Sequence, residues 1–244
     1  MLKIAIIGYG NMGKMIEKLA PDYNCEVVVI IDPLLNNTIS AESIGKADVC
    51  IEFTTPKKAL ENIKSISKLN KNIVVGTTGW FDQLEEAEKY IVENNTGLIY
   101  GANFSVGMNL FFKIIEHTSK LINIKGYDPY GIEMHHSKKK DSPSGTAKIL
   151  SEILLKNIDA KDTAQFERLN RKIKNNEFHF ASVRAGNIPG KHIIGFDSEY
   201  DSIELKHTAK NRNGLAIGAF KAAYWIHNKK GFYNFQNVLD QILV

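Results

Sequence analysis

Apolar and polar positions along the first hundred residues follow two alternating patterns. Short continuous apolar runs predict buried strands, and the segments between them repeat apolar positions every three or four residues, as amphipathic helices do. Continuous apolar strands separated by helices are typical of a parallel sheet covered on both faces. The pattern therefore predicts a Rossmann-type, doubly wound α/β domain, with strands near 3–7, 26–32, 47–54, 72–78 and 97–102 and helices near 11–20, 57–69 and 81–94.

The pattern changes after Asn103. A long helix is predicted over 105–122, a strand over 131–136 and a helix over 144–157, and residues 157–176 read as a polar surface excursion. Three antiparallel strands follow in 177–210, the last two forming a hairpin, before two closing helices over 215–231 and 232–244. We expect an α+β domain with a mostly antiparallel, mixed sheet over 104–211, whereas 1–103 and 212–244 form the dinucleotide-binding domain.

Composition narrows the function classes. The 244 residues are 43% hydrophobic and 24% charged, as in an ordinary globular protein, and the net charge of +4 is too small to indicate nucleic-acid binding. No apolar run is long enough for a signal sequence or a membrane span, so we expect a cytoplasmic protein that contacts neither nucleic acid nor membrane. Cys25 and Cys50 lie in apolar runs and are expected to be reduced, buried side chains.

A glycine loop lies between the first strand and the first helix, the position in which it binds a dinucleotide. The first glycine permits a tight turn, the second lets backbone approach a pyrophosphate, and the third lets helix and strand pack closely. Asp32 ends the second strand, where a carboxylate binds ribose hydroxyls and disfavours the 2′-phosphate of NADPH. Glycines also form ordinary turns, and Lys14 could weaken the preference for NADH. The predicted loop consists of Gly8, Tyr9, Gly10, Asn11, Met12 and Gly13.

Two more loops follow strands of the same predicted sheet, where such sheets bind ligands. Both are small and polar, which suits close approach of a nicotinamide ring, although spacing alone does not separate them from ordinary turns. They consist of Gly76, Thr77 and Thr78, and of Gly101, Ala102, Asn103 and Phe104.

The stretch EMHHSKKKDSPSGTA, residues 133–147, places positive charge beside a predicted helix N-terminus. Free amides at Gly145 and Thr146 would bind an anion such as a carboxylate. A histidine there can donate a proton near neutral pH, and a lysine can stabilise a forming anion. A lysine triplet is more often a solvated loop, and the His135–His136 pair has no third ligand at zinc-like spacing, so we predict no metal.

The joint pattern resembles the dihydrodipicolinate reductase family, also called 4-hydroxy-tetrahydrodipicolinate reductase, of lysine and diaminopimelate biosynthesis. The resemblance runs nearly end to end through GYGNMG, FTTP, GTTG, ANFSVG, the His-His-x-x-Lys-x-Asp-x-Pro-Ser-Gly-Thr-Ala block, SVRAGNIPGKH and NGLAIGAFKAA. It implies reduction of a cyclic dicarboxylate by NADH or NADPH.

The resemblance also implies residue roles. His135 corresponds to the family's proton donor and Lys139 to its catalytic lysine, whereas His136, Gly145 and Thr146 correspond to residues that bind the substrate carboxylates. The glycine loop, Asp32 and the two polar loops correspond to nucleotide contacts. Members are usually homotetramers joined through the central-domain sheets, which implies that the second domain also serves oligomerisation.

Two departures from the family pattern affect these expectations. Ser137 and Lys138 stand where many members have arginine and histidine, which leaves secondary substrate contacts undefined. The glycine loop is one residue shorter than the common version, and Asp32 lacks a neighbouring arginine, which favours NADH.

Other function classes fit less well. The chain has no Tyr-x-x-x-Lys motif of a short-chain dehydrogenase, and neither cysteine is placed to act as an acyl-accepting thiol. Another two-domain nicotinamide oxidoreductase acting on an anionic, amino-acid-derived substrate remains an alternative. So does an NADH-binding redox sensor, which would not need His135 and Lys139.

Overall fold

The computed structural model describes residues 1–124 and 126–243, and the chain divides into two compact units. The first unit comprises Met1–Val106 and Asn213–Val244, and the second comprises Gly107–Arg212. The expected boundaries at 103/104 and 211/212 therefore differ from the observed ones by three residues and one residue.

The first unit is built on a six-stranded, all-parallel sheet with the order β11-β5-β4-β3-β1-β2. The strand β1 lies inside the sheet, with β2 on one side and β3 on the other. This is the arrangement of a doubly wound fold, so the predicted fold class is confirmed. The strands are β1 (Leu2–Ile7), β2 (Cys25–Ile31), β3 (Val49–Glu52), β4 (Asn72–Val75), β5 (Gly97–Tyr100) and β11 (Gly231–Asn234).

Helices cover both faces of this sheet because successive strand side chains point to opposite faces. Ile4 and Ile6 pack with Ile16 and Ala219 on one face, whereas Ile7 packs in the apolar cluster of the other face. The first face carries α1 (Asn11–Leu19), α7 (Asn213–Ile226) and α8 (Leu239–Leu243), and the second carries α2 (Ala41–Ile44), α3 (Pro56–Lys68) and α4 (Leu84–Glu93).

The second unit contains a five-stranded mixed sheet with the order β10-β9-β6-β8-β7. β6 pairs antiparallel with β9 and parallel with β8, so it lies at the centre of the sheet. An apolar cluster joins the sheet to the helices α5 (Val106–Ile122) and α6 (Gly145–Asn157). The strands are β6 (Asp128–His135), β7 (Thr163–Gln165), β8 (Glu177–Arg184), β9 (Lys191–Asp197) and β10 (Ser202–Thr208).

The structure corrects three predicted elements. Residues 157–176 are not only a surface excursion, because Thr163–Gln165 forms β7 on the edge of the second sheet. β8 runs parallel to its neighbours rather than antiparallel, because β6 and not β9 lies beside it. The predicted helix over 232–244 begins as strand β11, which extends the first sheet beside β5, and Val244 lies outside the described residues.

None of the helices in the described part of the chain combines the length and apolar character required to cross a bilayer.

Candidate functional site

The glycine loop of the first unit requires glycine at two positions. Gly8 has φ +95°, and a Cβ there would lie 2.2 Å from the carbonyl oxygen of Phe53. A Cβ on Gly13 would lie 2.2 Å from the carbonyl oxygen of Gly8, so this residue lets α1 pack on the loop. At Gly10, by contrast, a Cβ would meet nothing within 4 Å. The second glycine therefore faces open space, as the pyrophosphate role requires.

Asp32 is joined to this loop by hydrogen bonds. Its Oδ2 accepts from the backbone N–H of Tyr9 at 2.7 Å, and its Oδ1 accepts from the N–H of Leu34 at 2.9 Å. Gly8, Tyr9, Gly10 and Asp32 line one cavity of about 510 Å³. The cavity lies where β1 and β2 end, which is where parallel sheets of this kind bind ligands.

The other predicted cofactor residues have different surroundings. Asn11 and Met12 begin α1, and Met12 packs on the apolar core. Phe104 is also a core residue, with its ring 4.6 Å from that of Phe235, so its side chain is not available to a ligand. The residues that follow β4 and β5 at the same edge of the sheet, but do not line the cavity, are Gly76, Thr77, Thr78, Gly101, Ala102 and Asn103.

Thr77 connects one of these loops to the cavity wall. Its hydroxyl accepts a hydrogen bond of 2.7 Å from the backbone N–H of Thr54, a cavity residue. The loop after β4 is therefore held against the loop after β3.

In the second unit, strand alternation determines which histidine of the pair is buried. Glu133 and His135 are two residues apart on β6 and both side chains point to its buried face. His136 follows the end of the strand and is only half-buried, and its Nε2 lies 3.4 Å from a guanidinium nitrogen of Arg212. The two histidines therefore have different surroundings.

The Glu133 carboxylate lies at the centre of a buried polar cluster. Oε1 accepts hydrogen bonds from the backbone N–H of Ser144 at 2.9 Å, the hydroxyl of Ser182 at 2.8 Å and the Arg184 guanidinium at 2.9 Å. Burial alone would raise the pKa of Glu133, but these donors and His135 hold it well below its usual range. The side chain is therefore a carboxylate although it is fully buried.

Two imidazoles approach the other oxygen of this carboxylate. Nδ1 of His135 lies 3.0 Å from Glu133 Oε2, and Nε2 of His192 lies 3.7 Å from the same atom. The rings of His135 and His192 are 5.2 Å apart in an edge-to-face arrangement. Burial, followed by the nearby His135, lowers the pKa of His192 to about 3, so His192 is neutral at physiological pH.

His135, without its sequence neighbour His136, belongs to a group of ligand-type side chains that comes together in space, and the expectation of no metal stays a prediction. Glu133, His135 and His192 offer ligand atoms within 4.8 Å of one another, a set that can hold a metal ion. Arg184 already binds this carboxylate, and a second cation would face the guanidinium charge at short range. We therefore interpret the cluster as the polar support of His135.

The helix entry beside this cluster has the features expected of an anion site. Ser144 is the N-cap of α6, and its side-chain oxygen accepts a hydrogen bond from the backbone N–H of Ala147. Gly145 and Thr146 are the first helical residues, so their N–H groups have no partner four residues earlier within the helix. The space around Gly145 is open, because a Cβ there would meet nothing within 4 Å.

Lys139 lies in the loop before this helix and forms an ion pair with Asp141 at 2.7 Å. Burial raises the pKa of Asp141, but Lys139, a backbone hydrogen bond and Arg184 together hold it below its usual value. The side chain of Lys139 is 22% exposed, so a ligand can reach it.

Sequence reasoning assigned no role to several residues of this cluster. Arg184 and His192 lie in SVRAGNIPGKH, a motif that contributed only to the resemblance, and Glu133 precedes the histidine pair. Strand alternation was the sequence signal that could have identified Glu133, because it places Glu133 on the same face of β6 as His135. The partners contributed by other elements are Ser144, Ser182, Arg184 and His192.

Comparisons with known proteins agree with this organisation. Residues 2–104 match the family model for the N-terminus of dihydrodipicolinate reductase, and residues 107–239 match the model for its C-terminus. The 4-hydroxy-tetrahydrodipicolinate reductase of Christiangramia forsetii is 33% identical over 99% of both chains. That of Buchnera aphidicola is 37% identical over 82% of this chain and 75% of its own.

Solved structures show the same fold. A dipicolinate-bound dihydrodipicolinate reductase from Paenisporosarcina superposes with a TM-score of 0.78 at 24% identity, covering 98% of this chain and 99% of its own. An amine dehydrogenase from Mycobacterium smegmatis gives a TM-score of 0.59 at 9% identity, covering 94% and 93%. With both family models matched and a relative aligned over its whole length, this chain belongs to the dihydrodipicolinate reductase family of NAD(P)H-dependent oxidoreductases.

Proposed function

We propose that this chain reduces 4-hydroxy-tetrahydrodipicolinate to tetrahydrodipicolinate, with His135 as the proton donor and NADH as the preferred cofactor. The observation that carries the proposal is in the second unit. A histidine with one nitrogen against a buried carboxylate lies on the strand that leads, through Lys139, to an anion-binding helix N-terminus. This arrangement suits a dicarboxylate that must be protonated.

The cofactor part of the proposal rests on the first unit. The pyrophosphate binds above Gly10, where no side chain occupies the space, and the adenosine ribose hydroxyls bind Asp32. The carboxylate of Asp32 would face the 2′-phosphate of NADPH with like charge, which supports NADH. The loops that begin at Gly76 and Gly101 contribute the nicotinamide contacts through backbone and threonine hydroxyl groups.

The substrate part assigns one task to each residue of the second unit. The N–H groups of Gly145 and Thr146 bind one carboxylate, and His136 binds the other. The 4-hydroxyl group leaves as water, which gives the conjugated ring. When bound, the cofactor would supply a hydride to that ring, and negative charge would accumulate on the substrate. Lys139 stabilises that charge and His135 delivers a proton to it.

The buried thiols support this reductase over an acyl-transferring dehydrogenase. Both cysteines are free and buried, and burial raises the pKa of Cys50 to about 12. A thiol of that kind is not ionised near neutral pH and is not a nucleophile. Reduced, buried thiols also fit the cytoplasmic location that we propose.

A homotetramer joined through the sheets of the second unit is part of the proposal. β10 is an edge strand of that sheet with mostly exposed side chains, and its apolar residue Ile203 is 39% exposed. On β8, at the other side of the sheet, Val183 is 38% exposed. An exposed sheet edge with apolar side chains suits association with another copy.

The test is oxidation of NADH in the presence of the freshly generated condensation product of pyruvate and aspartate semialdehyde. Rapid oxidation that depends on both precursors is expected. Tight NADH binding without turnover would instead identify a redox sensor. Oxidation with another amino-acid-derived substrate but not with this product would identify a different oxidoreductase.

A further inference from the structure

We propose that Glu133 is a positioning residue that keeps a proton on Nδ1 of His135, so that Nε2 is the nitrogen that delivers the proton to the substrate. This inference rests on the proposed function, because it takes His135 to be the donor.

The two carboxylate oxygens of Glu133 have different surroundings. Oε1 accepts three hydrogen bonds, from Ser144, Ser182 and Arg184, and these fix the carboxylate in place. Oε2 is buried and accepts no regular hydrogen bond within the described residues; the nitrogens of His135 and His192 are its polar neighbours at 3.0 and 3.7 Å. Oε2 is therefore the carboxylate oxygen that faces the two imidazoles.

Of these two imidazoles, His135 is the one that lies closer to Oε2 and is partly exposed. His192 is 3% exposed and stays neutral, because burial lowers its pKa to about 3. Nδ1 of His135 is buried against Oε2, whereas 11% of the His135 side chain is exposed. The carboxylate therefore faces Nδ1, and Nε2 is the nitrogen that remains for a substrate.

Besides Glu133, the titratable groups around His135 are an arginine, a lysine–aspartate ion pair and two histidines. Arg184 lies directly opposite His135 in the β6–β8 pair, and its guanidinium is bound by the other oxygen of Glu133. Lys139 is paired with Asp141 in the following loop. On the β9 and β10 side, His192 is neutral and burial lowers the pKa of His207. Glu133 is thus the carboxylate in contact with the ring, and its negative charge faces Nδ1.

The proton transfer follows from this placement. In the protonated ring both nitrogens carry hydrogen. The Nε2–H bond breaks, its electron pair stays on Nε2, and the proton joins the electron pair that the hydride addition leaves on the substrate. The product is neutral His135 with hydrogen on Nδ1, the tautomer that the carboxylate favours.

A purely structural role for Glu133 predicts different behaviour. The carboxylate also ties the α6 entry to β8 through Ser144, Ser182 and Arg184, so its loss will affect stability in any case. A structural role gives no reason for the His135 tautomer or for the pH profile to change. The tautomer of His135 and the pH profile of turnover therefore distinguish a positioning role from a purely structural one.

The first experiment uses the unmodified protein and does not depend on activity. Nitrogen-15 chemical shifts of the imidazoles distinguish the two neutral tautomers, and the His135 signals among the seven histidines are identified by their absence in His135→Gln. We expect hydrogen on Nδ1 in the neutral ring. Hydrogen on Nε2 there would overturn the inference, even if His135 proved to be the donor.

The second experiment compares Glu133→Gln with a matched control, Glu177→Gln. Glu177 is also a buried glutamate of the same sheet bound to an arginine, but Arg171 is its partner and His135 is not. In Glu133→Gln we expect turnover to fall roughly 10- to 100-fold, with KM within about threefold of that of the unmodified protein. We also expect the alkaline limb of the pH profile of turnover to move about one pH unit lower. Glu177→Gln should leave both the profile and the tautomer unchanged.

An unchanged pH profile in folded Glu133→Gln would reject the positioning role. Recovery of the profile in Glu133→Asp, which restores the charge, would support it. If Glu133→Gln does not fold, the tautomer in the unmodified protein decides the question. Near-normal turnover in His135→Gln would refute His135 as the proton donor. The tautomer measurement would still show whether Glu133 keeps hydrogen on Nδ1 of His135.

Discussion

The backbone N–H of Tyr9 donates a 2.7 Å hydrogen bond to Oδ2 of Asp32. Asp32, which we propose determines the cofactor preference, therefore also stabilises the glycine loop, because Tyr9 lies between Gly8 and Gly10. The other oxygen, Oδ1, accepts a hydrogen bond from the backbone N–H of Leu34, so each oxygen of the carboxylate has a backbone donor. Charge and loop conformation cannot be changed separately at this position.

Asp32→Asn should raise the ratio of kcat/KM for NADPH to that for NADH about tenfold, because it removes a charge that repels the 2′-phosphate. The amide keeps only one acceptor oxygen, so one backbone N–H loses its partner. That loss costs about 1 kcal/mol and should lower kcat/KM for both cofactors about fivefold. Steady-state kinetics with each cofactor measure both effects.

Asp48→Asn is the matched control for this change. Asp48 also accepts a hydrogen bond from a backbone N–H, that of Lys3, but at the opposite ends of the strands. It should leave the cofactor ratio unaltered. A ratio that does not move in Asp32→Asn would remove Asp32 from the choice of cofactor.

Gly13→Ala and Gly10→Ala should separate packing from ligand binding. A Cβ at Gly13 meets the backbone oxygen of Gly8 at 2.2 Å, so this variant should lose about 1–3 kcal/mol of unfolding free energy. A Cβ at Gly10 meets nothing, so stability should be kept while KM for NADH rises roughly tenfold. Denaturant titration and cofactor kinetics on both variants test this, and equal loss of stability in the two would contradict it.

His135→Gln should lower turnover roughly 100-fold or more, the usual scale for loss of an acid catalyst, with little change in substrate KM. His179→Gln, on β8 of the same sheet, is the control and should keep near-normal turnover. Turnover of His135→Gln close to that of the unmodified protein would exclude His135 as the donor. A large rise in KM at unchanged kcat would instead indicate a binding role.

Glu177 should contribute to loss of stability in acid. The Arg171 guanidinium, followed by the backbone N–H of Lys174, lowers the pKa of Glu177 from 4.5 to about 2. Between these values the unfolded chain binds the proton and the folded one does not, so the free energy of unfolding decreases as the pH falls. Glu177→Gln lacks this contribution.

Denaturant titrations between about pH 5 and pH 3 measure this contribution as the difference in stability between the unmodified protein and Glu177→Gln. The difference should narrow toward low pH, because the advantage of the charged carboxylate disappears there. A difference that stays constant over this range would show that Glu177 keeps an ordinary pKa.

Elements with strong local patterns were predictable from the sequence. The Rossmann-type sheet, the long helix that begins near Val106 and the helix that begins at Gly145 follow from apolar periodicity and from glycine and proline positions. The strand β11 was not predictable in this way. FYNF has mixed apolar and polar residues, and only its place beside β5 makes it a strand.

The pairing of β8 shows the same limit. Its alternation predicts a strand, but does not say which neighbour it joins or in which direction. β6 takes the position between β8 and β9, which makes one side of the sheet parallel.

The sequence by itself determined the parts of the site that lie within one turn or one strand–helix junction. The glycine loop with Asp32 and the segment from His135 to Thr146 are of this kind, because their geometry depends on residues close in the chain. Tertiary structure alone decided that Ser182 and His192 stand opposite Glu133 on its two sides. Strand register sets those neighbours, and register depends on how whole sheets pack, which no local stretch of residues encodes.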